Sequence, residues 1–334
     1  MLRGGLALAG LGLLAGCGMR PPWAPQPARL PRVGLLAPYA RPVGAPPPSS
    51  FPPTAFGEGL EALGWIDGQN YVGEWRYDEG KADRLPELAA ELVRLEPNVL
   101  VTLGATPAAR AAKQATSSIP IVMVAVGDPV GTGLVDSLAR PGGNATGLAN
   151  FVPQITGRRL DLLKEAVPNA ARVGLIWNPD NPASQAEWPL WQAAATALGL
   201  RLDSIGVRDT DPLPAAFAAL AADRPDALMV GSDPHLIARA PQVVELVGTT
   251  GLPAMYFDKT WSAAGGLMAY GPSFAAMYRR AAYYVDRILK GAKPHDLPVE
   301  QPTQFDFVIN LKTAQALGLT IPPSVLQQAT EILQ

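Results

Sequence analysis

Short apolar runs alternate along this chain with segments whose apolar residues recur at helical spacing. Arg32–Leu36 (RVGLL), Val99–Leu103 (VLVTL) and Ile121–Ala125 (IVMVA) are short, continuous and bounded by turn residues, which predicts buried strands. Thr54–Leu63 reads as a helix closed by Gly64, and Asp83–Leu95 carries Leu85, Leu88, Leu92 and Leu95 on one helical face. Tyr71–Tyr77 alternates like a strand. Behind Val99–Leu103 a turn at Gly104-Ala105-Thr106-Pro107 opens an Ala-rich helix to about Ala115. The β-α-β-α order predicts a parallel sheet covered by helices. In Val124–Asn150 a strand runs into Gly127-Asp128-Pro129, then Gly131 and Gly133. A helix is predicted over about Leu134–Ala139, stopped by Pro141-Gly142-Gly143, with a second strand at Ala145–Leu148. A strand feeding a Gly-rich turn and a helix N-terminus is how open α/β sheets build a crevice, and the same glycines serve equally as turn punctuation.

The pattern then begins again. Arg32–Leu36 recurs as Arg172–Ile176, and Pro97–Val101 as Pro225–Met229. Ile119–Met123 recurs loosely as Leu252–Tyr256, and Gly142-Gly143 as Gly265-Gly266. The offsets of 140, 128, 133 and 123 residues keep one order while loop lengths differ, which predicts two lobes of similar build. A helix at Phe274–Lys290, an extended Leu297–Pro302, a strand at Phe305–Ile309, a helix at Leu311–Leu317 and a last helix after Pro322-Pro323 belong to neither repeat. This tail is expected to shuttle between the lobes, with crossings near Asn150, Gly271-Pro272 and Thr303 forming a three-strand hinge. Lobe 1 is then 32–149 plus 272–303, and lobe 2 is 150–271 plus 304–334.

Composition narrows the class. The 334 residues are 48% hydrophobic and carry a formal charge of −2, which suits a large core and argues against a nucleic-acid partner. The chain has 35 prolines, with clusters near the N-terminus, where 18–31 reads as a tether. The only cysteine, Cys17, excludes an internal disulfide. Arg3, the apolar run Leu6–Leu14 and Leu14-Ala15-Gly16-Cys17 look like a lipoprotein signal peptide over 1–17, with Cys17 the acylated residue; a plain signal peptide and a buried N-terminal helix are the alternatives. His235 and His295 stand apart from each other and from Cys17, so neither a metal nor a cofactor is expected. The chain lacks a Gly-x-Ser-x-Gly elbow and a phosphate-binding Gly-x-x-x-x-Gly-Lys loop, and Asp136 replaces the third glycine of a dinucleotide fingerprint.

Eight ordered blocks carry a resemblance covering about residues 32–330: GEGLEALGWIDGQN (Gly57–Asn70), RLPELAAELVRL (Arg84–Leu95), AAKQATSSIPIV (Ala111–Val122), VGDPVGTGLVDSLARPGGNATGL (Val126–Leu148), RRLDLLKEAVPN (Arg158–Asn169), WNPDNP (Trp177–Pro182), AGGLMAYGPS (Ala264–Ser273) and INLKTAQALGLTIPPSVL (Ile309–Leu326). The chain resembles the ABC-transporter substrate-binding proteins of the tryptophan/tyrosine-import type. That resemblance implies an α/β fold of two Rossmann-like lobes, the type I periplasmic-binding-protein fold. It also implies a small carboxylated ligand between the lobes, such as an aromatic or amino acid, and delivery to a membrane permease with its cytoplasmic ATPase. The expected protein is a monomer held by a lipid anchor on the extracytoplasmic face of a bacterial membrane. Two departures stand out: a longer, proline-richer loop after the first strand, with Ala37 where serine or threonine is common, and the segment Phe257–Trp261. A lipid-anchored sensory module would show the same binding features, and an extracytoplasmic α/β enzyme is the more distant alternative.

In such a fold the loops at strand carboxyl ends line the cleft. From lobe 1 these present Tyr39, Gly104, Ala105, Thr106 and Asp128. From lobe 2 they present Trp177, Asn178, Ser232, Asp233 and Asp258, with Asn150 and Tyr270 near the crossings. The free N–H groups at Gly104–Thr106 and the Thr106 hydroxyl are suited to a ligand carboxylate, and Asp233 or Asp258 to an amine. Tyr39, Trp177 and Tyr270 offer flat walls for a ring. Each has a purely structural alternative. Thr106 and Asp233 are equally fitted to cap helices, Asp128 to cap its turn, and Asn178 and Asn181 to shape a turn.

Overall fold

Alternation along the central strands decides how the layers assemble. In the computed structural model Val33 and Leu35 of β1 (Arg32–Ala37) join one core cluster while Leu36 joins another. Val99, Val101 and Leu103 of β3 (Val99–Leu103) likewise part from Leu100. Both faces of the sheet are therefore buried, as continuous apolar runs require. The structure describes residues 29–41, 52–104, 106–150, 153–208, 211–220, 223–233, 236–237 and 239–334. Cys17 and most of the tether lie outside the described residues.

The first sheet has the order β2-β1-β3-β4-β5, with β2 at Val72–Tyr77, β4 at Ile121–Val126 and β5 at Ala145–Ala149, and every pairing is parallel. Helix α1 (Pro52–Ala62) lies on one face; α2 (Leu85–Arg94) and α3 (Thr106–Ala115) lie on the other. The following elements are α4 (Pro153–Ala166), β6 (Arg172–Trp177), α5 (Pro182–Ala197), β7 (Arg201–Gly206), α6 (Leu213–Leu220), β8 (Ala227–Val230), α7 (Ala240–Thr250), β9 (Ala254–Tyr256), α8 (Lys259–Ala263) and β10 (Met268–Pro272). Helix α9 (Phe274–Leu289) returns to the first sheet and packs on α1, where Gly59 lets the backbones meet: a Cβ there would sit 2.8 Å from the Arg279 carbonyl. Then come β11 (Phe305–Asn310), α10 (Leu311–Ala316), α11 (Pro323–Leu326) and β12 (Glu331–Leu333). The second sheet has the order β12-β11-β10-β9-β8-β6-β7.

The second sheet is mainly parallel, as the fold class requires, with β11 antiparallel to β10. Two expectations are corrected. Leu134–Ala139 is not helical; it is a run of bends. Gly133 sits at φ +69, the Leu134 and Val135 N–H groups both donate to the Pro129 carbonyl, and the Asp136 N–H turns forward to the Pro141 carbonyl, so the chain folds back before a helical ladder starts. Strand β12 closes the edge of the second sheet, pairing parallel with β11, where only a helix was expected at the C-terminus.

Among the described residues the chain passes three times between the two layers: after β5, between β10 and α9, and at 301–304 ahead of β11. The last passage runs beside the other two. Glu300 exchanges backbone bonds with Gly147 and Ala149, each 2.9 Å, and the Ser273 N–H donates to the Gln304 carbonyl at 2.9 Å.

Candidate functional site

The carboxyl ends of β1, β3 and β4 deliver the first group of side chains. Gly104, at φ +94, ends β3, and a Cβ on it would lie 3.2 Å from the Tyr278 hydroxyl on the first turns of α9. Glycine here answers both the backbone angle and the close approach. Tyr39 is half-buried, edge-on to Tyr77 at 6.1 Å between ring centres, and shares the electrostatic environment of Tyr278. Burial, first of all, drives the phenol pKa of both Tyr39 and Tyr278 upward, so both rings stay neutral donors. Thr106 opens α3, and its hydroxyl accepts the Gly127 N–H at 3.2 Å, tying the β3 and β4 turns together. Ala105 lies outside the described residues. Asp128 is exposed and caps its own turn, accepting the Gly131 N–H at 2.9 Å. Asn150 donates its backbone N–H to the Val126 carbonyl at 2.8 Å.

The second sheet contributes carboxylates. Asp233, after β8, is 1% exposed and holds the Asn181 side-chain amide at 2.7 Å and the Leu236 N–H at 3.2 Å. Ser232 beside it is half-buried. Asn178 is buried and accepts the Asp180 N–H at 3.0 Å. Asp258, after β9, is 7% exposed; its Oδ1 caps α8 by accepting the Thr260 N–H at 2.8 Å and the Thr260 hydroxyl. Desolvation raises its pKa above the ordinary carboxylate value, against the opposing pull of Thr260 and the Arg159 charge. Trp177 is half-buried, stacked on Trp188 at 4.8 Å with its indole N–H on the Ser204 hydroxyl at 2.8 Å. Tyr270 stacks on Phe305 at 5.8 Å.

Three of these positions, Tyr39, Gly104 and Asp258, are related through Tyr278. It touches the Gly104 turn on the first sheet and lies within the field of Asp258 on the second. The β3 turn of the first sheet and the β9 turn of the second therefore both approach the same side chain, Tyr278. Sequence reasoning missed Tyr278 and Arg159. Tyr278 comes from a helix far along the chain. Arg159 did leave a signal, because it shares one face of α4 with Ile155, Thr156, Leu160 and Leu163, all buried. A cation on an apolar helical face calls for buried partners.

The sequence matches the ABC transporter substrate binding protein family over residues 54–333. The chain belongs to that family. A tyrosine-binding protein from Clostridioides difficile (strain R20291) is 26% identical over 264 residues, 79% of this chain and 75% of its own. Among solved structures, an ABC domain from Streptococcus pneumonia in complex with L-Trp superposes with a TM-score of 0.81 at 27% identity, covering 91% of this chain and 100% of its own. A conserved domain protein from Vibrio cholerae O1 biovar El Tor gives 0.80 at 28% identity, with the same coverage. As a substrate-binding protein of this family the chain presents a binding site rather than a catalytic one. No helix among the described residues is long and apolar enough to cross a membrane, and no group of three or more His, Cys, Asp or Glu side chains among them could hold a metal ion.

Proposed function

We propose that this substrate-binding protein captures an aromatic α-amino acid between the carboxyl ends of its two sheets, outside the cytoplasm, for an ABC importer. The observation that carries this reading is the place of Tyr278, whose hydroxyl lies against the Gly104 turn of the first sheet and within electrostatic reach of Asp258 beyond β9 of the second. The ligand carboxylate would take the N-terminus of α3 and the Thr106 hydroxyl, where unpaired N–H groups and the helix dipole favour an anion. The ammonium would take Asp258, whose two Thr260 bonds both fall on Oδ1. Asp233 is engaged by Asn181 and the Leu236 N–H, so it would shape the β8 loop, from which Ser232 would reach the ligand. Tyr39 and Tyr270 would flank the ring, with Asn150 at the crossing between them. The tyrosine-binding and L-Trp-bound relatives support an aromatic side chain. Cys17 would carry the lipid that keeps the protein at the membrane surface, with the permease and its ATPase as partners.

Calorimetric titration tests the ligand. L-tyrosine or L-tryptophan should bind, and the same ring on a propionate lacking the amine should bind roughly ten- to a hundredfold more weakly, as loss of a charge-assisted hydrogen bond of about 1.5–3 kcal/mol predicts. Equal affinity for the two compounds would remove the carboxylate–ammonium contact. For the anchor, labelled fatty acid should enter the wild-type protein in cells and be absent from Cys17→Ser.

A further inference from the structure

Strands β9 and β10 pair only through Met255–Met268 and Tyr256–Ala269, then separate. Beyond that point two carbonyls need donors. One is Phe257 O, at the start of the loop that carries Asp258. The other is Tyr270 O. In the β10–β11 ladder the Asn310 N–H donates to Leu267 O and the Ser273 N–H to Gln304 O, so bonded pairs alternate and Tyr270 turns its carbonyl away from β11, toward the side β9 has left. Arg159 fills that gap from α4. Its Nε donates to Tyr270 O at 2.7 Å and its Nη2 to Phe257 O at 3.0 Å, and it is 6% exposed. Gly271 makes room: a Cβ there would fall 1.8 Å from Phe257 O and 3.4 Å from the guanidinium.

The geometry points to Arg159 as a positioning residue that binds the Asp258 loop to the passage at 271–273, so that occupancy of the site is transmitted to the hinge. The link to occupancy rests on the reading of Asp258 given above; the tether itself does not. A planar fork reaches two carbonyls at once, and a single ammonium cannot reproduce it. The guanidinium stays charged although burial pushes its pKa down to about 10, because Glu187 on α5, Asp258 and Tyr270 pull the other way. The groups around Asp258 are Arg159 from α4, Thr260 and Trp261 on α8, and Tyr278 from α9. Arg159 is the cation among them, and it favours the ionised carboxylate.

Two measurements on purified Arg159→Lys and Arg159→Met proteins test this. Hydrogen exchange without ligand should speed tenfold or more at the amides of 257–262 and 270–273 in both variants, while β6 and β8 keep wild-type rates. Titration with L-tyrosine and L-tryptophan from pH 5.5 to 8 should show Arg159→Met binding at least tenfold more weakly than wild type at the acid end and regaining affinity as pH rises. Arg159→Lys, which keeps the charge, should follow the wild-type pH profile. Unchanged exchange in the two segments, or a uniform rise across the second sheet, overturns the tether. A pH profile of Arg159→Met that parallels wild type overturns its action through Asp258. If wild-type protein binds neither amino acid, the ligand reading fails, and with it the link to occupancy, while the exchange result still decides the tether.

Discussion

Gly271 is where one atom matters most. A methyl group placed there would overlap Phe257 O, so Gly271→Ala is expected to cost at least about 2 kcal/mol in urea unfolding and to abolish ligand binding. Asp258 makes a prediction with two opposite signs. Its folded-state pKa lies above the ordinary carboxylate value, so its own contribution to the stability of the ligand-free protein grows as pH falls through that pKa and is lost as pH rises. Binding of an ammonium needs the ionised form, so affinity should fall over the same interval. Asp258→Asn should remove both trends, seen in melts and titrations from pH 4 to 8; an unchanged affinity profile would take Asp258 out of the site. Asp258, Asp233 and Tyr39 could be proposed from sequence because each lies within three residues of the end of an apolar run that reads as a strand, and strand ends are where α/β sheets bind. Tyr278 was hidden because its importance depends on α9 returning to the first sheet, a packing that local pattern does not encode.

At the scale of elements, the strands buried on both faces could be read from their continuous Val, Leu and Ile content, as in β1, β3 and β4. The edge strand β7, with exposed Arg201, Ser204 and Gly206, offered no such run, and β12 is three residues that gain meaning only beside β11. The stretch after Gly133 failed as a helix because bonds to the Pro129 and Pro141 carbonyls outcompete a ladder that six residues ahead of a proline cannot establish. Its consequence is that no helix N-terminus forms after Gly133, which leaves α3 as the one proposed for the ligand carboxylate. Thr106→Val should therefore weaken the amino acid about tenfold and its uncharged carboxamide by much less, measured by calorimetry. Equal losses would place the carboxylate elsewhere. Asp128→Ala should cost about 1 kcal/mol in unfolding through its lost cap while leaving affinity within about twofold.

For the whole molecule, the duplicated pattern foretold two sheets, and the tail that fits neither repeat became the returning helix and the last passage. What the duplication did not carry was how the passages are braced. Arg280 grips Glu300 with two bonds of 2.9 and 2.7 Å and lies over the Tyr283 ring at 3.9 Å, fixing the third passage against α9. Three passages tied to one another favour a hinge that opens and closes along one path. Ligand at a thousand times its dissociation constant would add about 4 kcal/mol to apparent stability, yet a stability gain alone does not locate the site. Small-angle scattering of purified protein with and without saturating L-tyrosine or L-tryptophan tests the location and the movement together. The radius of gyration should fall on saturation of the wild type and stay at its ligand-free value in Asp258→Asn at the same ligand concentration. Saturation of the wild type with no change in radius, or an equal contraction in both proteins, would contradict capture between the two sheets.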